Sequence, residues 1–322
     1  MLCDKTKIEN ILVVSLSNIG DVILTFPVID VLRHDFPGSK ISIVIGPKAQ
    51  SLLVGNPNFS QIFIYDKHQS VLGKIRFVRE LQMKKFDLIV DLRNTAIPFF
   101  VPTKYRTSFK KTESMGLHMK EKHLRRLKSV YRFKNISEKK YCLSISEEDN
   151  AYIKNIIEKE IGEKFFVAIA PGAADPSKRW PKEYFAKAAD ELVKIKKVKI
   201  VFMGSQEDSI VAQSIGKLMK NPFVDLCGKT TLLQLAELMK YPQAIISNDS
   251  APMHLASYLD KPVLAIFGPT NPLQYGPWSQ KSIFVAREKD CLVCQNPQIK
   301  KPHECIASIS FKKVLDQIDV LL

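Results

Sequence analysis

Short, continuous apolar runs alternate along the chain with longer stretches whose apolar residues recur every three or four positions. Residues 11–16 (ILVVSL) are apolar almost throughout, as expected of a strand covered on both faces. Residues 21–33 place Val22, Ile23, Phe26, Ile29 and Leu32 at helical spacing. Pro27 within that stretch predicts a kink or a late helix start. Further strands are expected at 41–45, 62–65 and 88–92, with a helix over 71–84. The second half repeats the scheme, with strands at 165–170, 199–203, 224–227, 244–247 and 263–267. Helices are expected between them at 181–195, 207–219, 232–239 and 253–259. A last helical pattern fills 311–322 and is placed to pack across the domain junction. Strands and helices alternating at this spacing predict parallel sheets with right-handed crossovers. A chain of 322 residues holds two such blocks comfortably. The expectation is an α/β protein with two Rossmann-like domains, 1–155 and 156–322, the boundary falling within 146–164.

Ligands of open parallel sheets bind beyond the carboxyl ends of the strands, so the loops there carry the chemistry. In the first, SNIGD, Gly20 permits a tight turn and Asp21 opens a helix. Asp21 is either a helix-capping carboxylate or a general base. The loop PGAADPSKRWP brings Lys178 and Arg179 in front of a helix that starts at Pro181. As a mobile basic loop it suits a diphosphate; as a surface it is two solvated charges. In GSQED, Ser205 and Asp208 form a capping-box pattern, which leaves Glu207 available to ribose hydroxyls. SNDSAPMH ends a strand and begins a helix with Pro252 in its first turn. Its free N–H groups and the positive end of the helix dipole make an anion site within reach of His254. The turn GPTNP closes the same edge.

Hydrophobic content of 45% and charged content of 25% are those of an ordinary globular protein. No apolar run approaches the roughly 18 residues of a membrane helix. The opening MLCDKTKIENILVVSL reads as a first strand, not a secretory signal, so a cytoplasmic protein is expected. The net charge of +15 is uneven: residues 71–140 hold 19 Lys/Arg against 6 Asp/Glu. Such a field implies nucleic acid, a membrane surface or a phosphorylated substrate, or else simply a solvated lysine-rich surface. Cys291, Cys294, His303 and Cys305 are a candidate zinc set, although H-x-C is an unusual second half; buried thiols are the alternative. GxGxxG, Walker A, HExxH and GxSxG patterns are absent. So is an Asp-x-Asp pair to hold a metal against a sugar diphosphate. Leaving-group charge then falls to Lys178, Arg179, His254 and helix N-termini.

These motifs, in this order, resemble glycosyltransferase family 9, the ADP-heptose heptosyltransferases of lipopolysaccharide synthesis. SNIGD, KRWP, SNDSAPMHLA and KPVLAIFGPTNP carry the likeness across nearly the whole chain. Many members read Gly where this chain has Ala251. The resemblance implies a GT-B fold, two Rossmann-like domains with parallel sheets facing a central cleft. It implies inverting transfer of heptose from ADP-heptose to the Kdo/heptose inner core, with no cofactor or metal required. Asp21 would be the general base. Ala173, Ala174 and Thr230 would contact the nucleoside, Glu207 the ribose and Asp249 the donor sugar. Lys178 would hold the diphosphate, with Gly204 nearby and Ser250, Ala251 and His254 beneath. Asn18, Arg93, Lys104, Arg106 and Lys120 would receive the anionic lipid A–Kdo acceptor. Leu117, Leu124, Leu127 and Tyr131 fall on one helical face of the basic segment 104–140, which suits a peripheral protein on the cytoplasmic face of the inner membrane. The segment equally suits a seat for the acceptor's phosphates or carboxylates, or else an ordinary helix with an apolar core face and solvated charges. A GT-B transferase for another nucleotide sugar is the alternative. A non-enzymatic nucleic-acid or membrane-surface binder is a more distant one, since no RRM, HTH or OB pattern is present.

Overall fold

Strands that are apolar on both faces must be covered on both faces, and that requirement organises each half of the chain. The computed structural model describes residues 3–15, 18–109, 116–162, 165–287 and 305–322. They form two units that divide between Ser144 and Ile145.

The first unit runs β1 (Asn10–Val14), α1 (Ile19–Ile23), α2 (Phe26–Asp35), β2 (Lys40–Ile45), α3 (Gln50–Leu53), β3 (Gln61–Ile64), α4 (Val71–Gln82), β4 (Leu88–Asp91), α5 (Ile97–Phe100), β5 (Tyr105–Arg106) and α6 (Met119–Lys128). The sheet order is β3-β2-β1-β4-β5, and every pairing is parallel. Ile11, Leu12, Val13 and Val14 are fully buried. Pro27 resolves as a late start: α1 stops at Ile23, and α2 begins at Phe26 with the proline in its first turn.

The apolar face of α6 corrects the membrane reading of residues 104–140. Leu124 and Leu127 are buried, as is Tyr131 just beyond the helix. Tyr131 donates to Asp35 at 2.7 Å and packs edge-on against Phe36. Leu117 lies before the helix and is half-buried. This stripe faces the core and is not available to a bilayer.

The second unit runs α7 (Glu147–Ile156), β6 (Phe166–Ala170), α8 (Lys182–Lys196), β7 (Lys199–Phe202), α9 (Gln206–Gly216), β8 (Phe223–Asp225), α10 (Leu232–Leu238), β9 (Ala244–Asn248), α11 (Ala251–Tyr258), β10 (Val263–Phe267), α12 (Pro272–Tyr275), β11 (Ser282–Ala286) and α13 (Phe311–Ile318). Its six strands are ordered β11-β10-β9-β6-β7-β8, again all parallel. Helix starts follow the side chains that cap them. Thr231 Oγ1 accepts the Gln234 N–H at 3.2 Å while Gln234 Oε1 accepts the Thr231 N–H at 3.0 Å. The closing helix α13, expected to cross the domain junction, packs on α8 and buries Val314 and Ile318 in this unit's own core.

Candidate functional site

The order of parallel strands fixes where each sheet opens. In the second unit the chain winds outward from β6 in one direction and from β9 in the other. The crevice therefore lies beyond the carboxyl ends of β6 and β9. Lys178 follows β6, Asp249 follows β9, and the two meet there. Lys178 Nζ donates to Asp249 Oδ2 at 2.6 Å, and the carboxylate is 5% exposed.

The loop that presents Lys178, expected to be mobile, is crossed by its own hydrogen bonds. Asp175 Oδ1 accepts the Ser177 N–H at 2.9 Å and the Ser177 hydroxyl at 2.8 Å, folding Pro176–Lys178 into a 3₁₀ turn. Those bonds hold the Asp175 carboxyl below its ordinary range. Arg179 Nε donates to the Ala173 carbonyl at 2.8 Å, so this cation locks the loop. Buried Asn248 then ties the loop to β9: its amide donates to the Pro171 carbonyl at 2.7 Å and its Oδ1 accepts the Trp180 N–H at 3.1 Å. Trp180 is sunk in the core, with Nε1 on the Ile309 carbonyl at 2.8 Å.

The remaining donor-side candidates occupy the same edge of the same sheet. Ser250 is the N-cap of α11 and Ala251 its first residue. Of the first turn, Pro252 has no N–H and His254 N bonds the Ser250 carbonyl at 3.4 Å. His254 is buried and stacks on Trp278, centroids 6.0 Å apart. Gly204 lies in the turn after β7, against Asp208: a Cβ there would sit 2.6 Å from Asp208 Oδ2. The capping pattern of that turn is present, since Asp208 Oδ2 accepts the Ser205 N–H at 2.8 Å. Glu207 is exposed beside it, with Oε2 3.0 Å from Ser205 Oγ. Thr230 lies past β8, and its Oγ1 is buried without a hydrogen-bond partner among the described residues. Ala173 is buried after β6 and Ala174 exposed.

In the first unit the crevice falls between β1 and β4 by the same rule. Asn18 is the N-cap of α1, and Asp21 stands in its first turn without capping it. Arg93, from the turn after β4, brings its guanidinium to 3.9 Å from Asp21 Oδ1. Asp91 shapes that turn. Its carboxylate accepts the N–H of Arg93 at 2.8 Å and that of Thr95 at 2.6 Å. Burial pushes the Asp91 carboxyl up, against the opposing pull of these bonds and of Arg126. Arg126 of α6 reaches over to bond Asn94 Oδ1 and the Ser108 carbonyl, fastening the turn from the other side. Lys120 shares the inward helical face with His123 and pairs with Glu121 at 3.7 Å.

Two acceptor candidates are not gathered here. Lys104 precedes β5, which pairs with β4 from Leu88, so it stands at the amino-terminal edge of the sheet, over the Tyr105 ring. Arg106 donates to the Pro98 carbonyl at 2.6 Å. Cys291, Cys294 and His303 lie outside the described residues; Cys305 opens a 3₁₀ turn ahead of α13. Among the described residues no group of three or more His, Cys, Asp or Glu is arranged to hold a metal. The sequence pattern missed Asp91 and His123, and it placed Asn248 in the SNDSAPMH motif and Arg126 in the basic segment without the contacts they make. Their only signal was polarity at a strand end or within a helical stretch, which many surface residues share.

Comparisons with known proteins bear on the site. The sequence model of glycosyltransferase family 9 (heptosyltransferase) matches residues 74–303. The chain is 26% identical over 314 residues to lipooligosaccharide heptosyltransferase 2 from Campylobacter jejuni, which covers 94% of this chain and 96% of that protein. Among solved structures, the glycosyl transferase family 9 protein from Veillonella parvula aligns with a TM-score of 0.86 and 26% identity, over 100% of this chain and 98% of that one. The ADP-heptose LPS heptosyltransferase II of E. coli aligns with a TM-score of 0.76 and 22% identity, over 97% and 98% of the two chains.

Proposed function

This chain belongs to glycosyltransferase family 9, and we propose that it moves a heptose from ADP-heptose to the Kdo/heptose inner core of a lipopolysaccharide acceptor. One observation supports the reading: the ten residues proposed for the donor stand in loops along the carboxyl edge of one parallel sheet, with Lys178 and Asp249 at its switch point. Relatives named as heptosyltransferases support heptose over another sugar.

Lys178 and the first turn of α11 take the diphosphate, whose charge grows as the glycosidic bond breaks. His254, held flat by Trp278, flanks that turn. Glu207 takes the ribose, and Ala173, Ala174, Gly204 and Thr230 border the nucleoside. Asp249 turns from Lys178 toward the donor sugar hydroxyls. Asp21 removes the proton from the acceptor hydroxyl as its oxygen attacks the anomeric carbon, through an oxocarbenium-like state with inversion. Arg93, whose guanidinium stands beside Asp21, receives the acceptor's anionic groups with Asn18 and Lys120. The transfer needs no metal. The acceptor is lipid-anchored, so the protein works as a peripheral protein at the cytoplasmic face of the inner membrane. Among the described residues no helix is long and apolar enough to cross a membrane.

The test is transfer by the Asp21→Asn variant. A positioned base contributes about 10²–10⁴-fold, so turnover should fall by that factor while ADP affinity stays at the wild-type value. Turnover within threefold of wild type would remove Asp21 from the chemistry. Loss of ADP affinity as well would make its role structural.

A further inference from the structure

Helix α4 carries apolar side chains on its outward side as well as on the face it buries. One face buries Phe77 and Leu81 against the sheet. The other leaves Val71, Leu72 and Ile75 in solvent, with Leu72 76% exposed. Met83 continues this outer face past the last turn. There α5 joins it, because Gln82 Nε2 donates to the Phe100 carbonyl at 2.7 Å. Phe99 and Phe100 are 66% and 59% exposed, and Phe99 stacks on Phe109 with centroids 4.0 Å apart. The apolar strip is thus broken: Val71, Leu72 and Ile75 hold one end of α4, Met83 with α5 holds the other about 12 Å on at the helical rise, and Arg76 and Arg79 are exposed between them. Single surface apolar residues are ordinary, whereas clusters of this kind mark an interaction surface.

The charges interleaved with the strip select its partner. Residues 71–85 carry Lys74, Arg76, Arg79, Lys84 and Lys85 against Glu80 alone. Arg76, Arg79, Lys84 and Lys85 are exposed. A second copy docking through the same face would set these cations against each other. An anionic bilayer meets both features, since apolar side chains enter the acyl boundary while cations sit among headgroup phosphates. We propose that the α4–α5 face, not the basic helix α6, is the surface by which this protein docks on anionic lipid. The proposal deepens the assigned function, which requires an enzyme working where a lipid-anchored acceptor lies.

Co-sedimentation of the full chain with vesicles tests it, comparing phosphatidylcholine alone with phosphatidylcholine containing about a quarter phosphatidylglycerol. The wild type should partition onto the anionic vesicles, less so as salt rises. A Leu72→Ser/Phe99→Ser/Phe100→Ser variant should lose at least tenfold in partition, and so should Arg76→Glu/Arg79→Glu. Both substitute exposed side chains and should keep the wild-type melting temperature and ADP affinity. Wild-type partition by either folded variant would overturn the proposal. So would indifference of the wild type to anionic lipid, or light scattering that shows a dimer which the Leu72 variant splits. A wild type that fails to bind ADP would count against the donor assignment alone, since vesicle binding is read separately.

Discussion

Lys178 and Asp249 hold each other at 2.6 Å, so a diphosphate must share or capture the ammonium group. A charge-assisted hydrogen bond of this kind is worth about 1.5–3 kcal/mol. Lys178→Ala should therefore weaken ADP binding about 10- to 100-fold in a calorimetric titration. Unchanged affinity would leave the lysine as no more than Asp249's counter-ion. His123 makes a separate prediction. Burial first, then the charges of Arg93, Arg126, His118 and Lys122, lower its pKa to about 3. The unfolded chain takes up that proton near pH 6.5 and the folded protein does not. The neutral ring's contribution is thus fully present above about pH 6.5 and is lost as pH falls toward 3. Chemical denaturation should show the wild type losing roughly 2 kcal/mol more than His123→Gln between pH 7 and pH 5. Equal losses would contradict this account of His123. Asp21, Lys178 and Asp249 stand in loops that the strand pattern already marked, but charge and position left Asp21 and Lys178 open between a structural and a chemical part, and only the family resemblance singled out Asp249. The roles of Asp91, His123 and Arg126 could not be read at all, because they exist only once residues 91–95 and 118–126 meet in space.

At the level of elements, apolar runs of both-face burial identified β1 to β4 and β6 to β10, with ends shifted by one or two residues. The short strand β5, the edge strand β11 and the helix α7 escaped. β5 is a two-residue pairing, β11 is only partly buried, and α7 lay where a linker was expected. Contacts between elements were less visible still. Asp208, in the first turn of α9, packs its carboxylate between two strand-end loops. A Cβ on Gly172 would come within 1.9 Å of Asp208 Oδ1. Gly172→Ala should displace that carboxylate from the Ser205 N–H, costing about 1–2 kcal/mol. The melting temperature should fall by about 2–8 °C. The same substitution made in an Asp208→Ala background should cost distinctly less, since the clash partner is gone. Additive losses would show that the glycine matters for another reason. The α6 stripe carries the opposite lesson: periodicity located its apolar face correctly but could not say whether core or bilayer covers it.

For the whole molecule, two parallel sheets, one opening between β1 and β4 and the other between β6 and β9, place a charged pair at each opening: Arg93 with Asp21 in one unit, Lys178 with Asp249 in the other. Strand alternation made this doubled α/β architecture readable, and the carboxyl-edge rule led from architecture to site. The base, the sugar and the acceptor position were not readable, because no residue type in those loops encodes them without the three-dimensional pocket. If the edge of the second sheet binds ADP-heptose as proposed, calorimetric titration of the full chain with ADP, UDP and GDP in the presence of a chelator should show ADP binding at least tenfold tighter than the other two, undiminished by metal removal. A preference for UDP or GDP, or no nucleotide binding at all, would contradict the proposal.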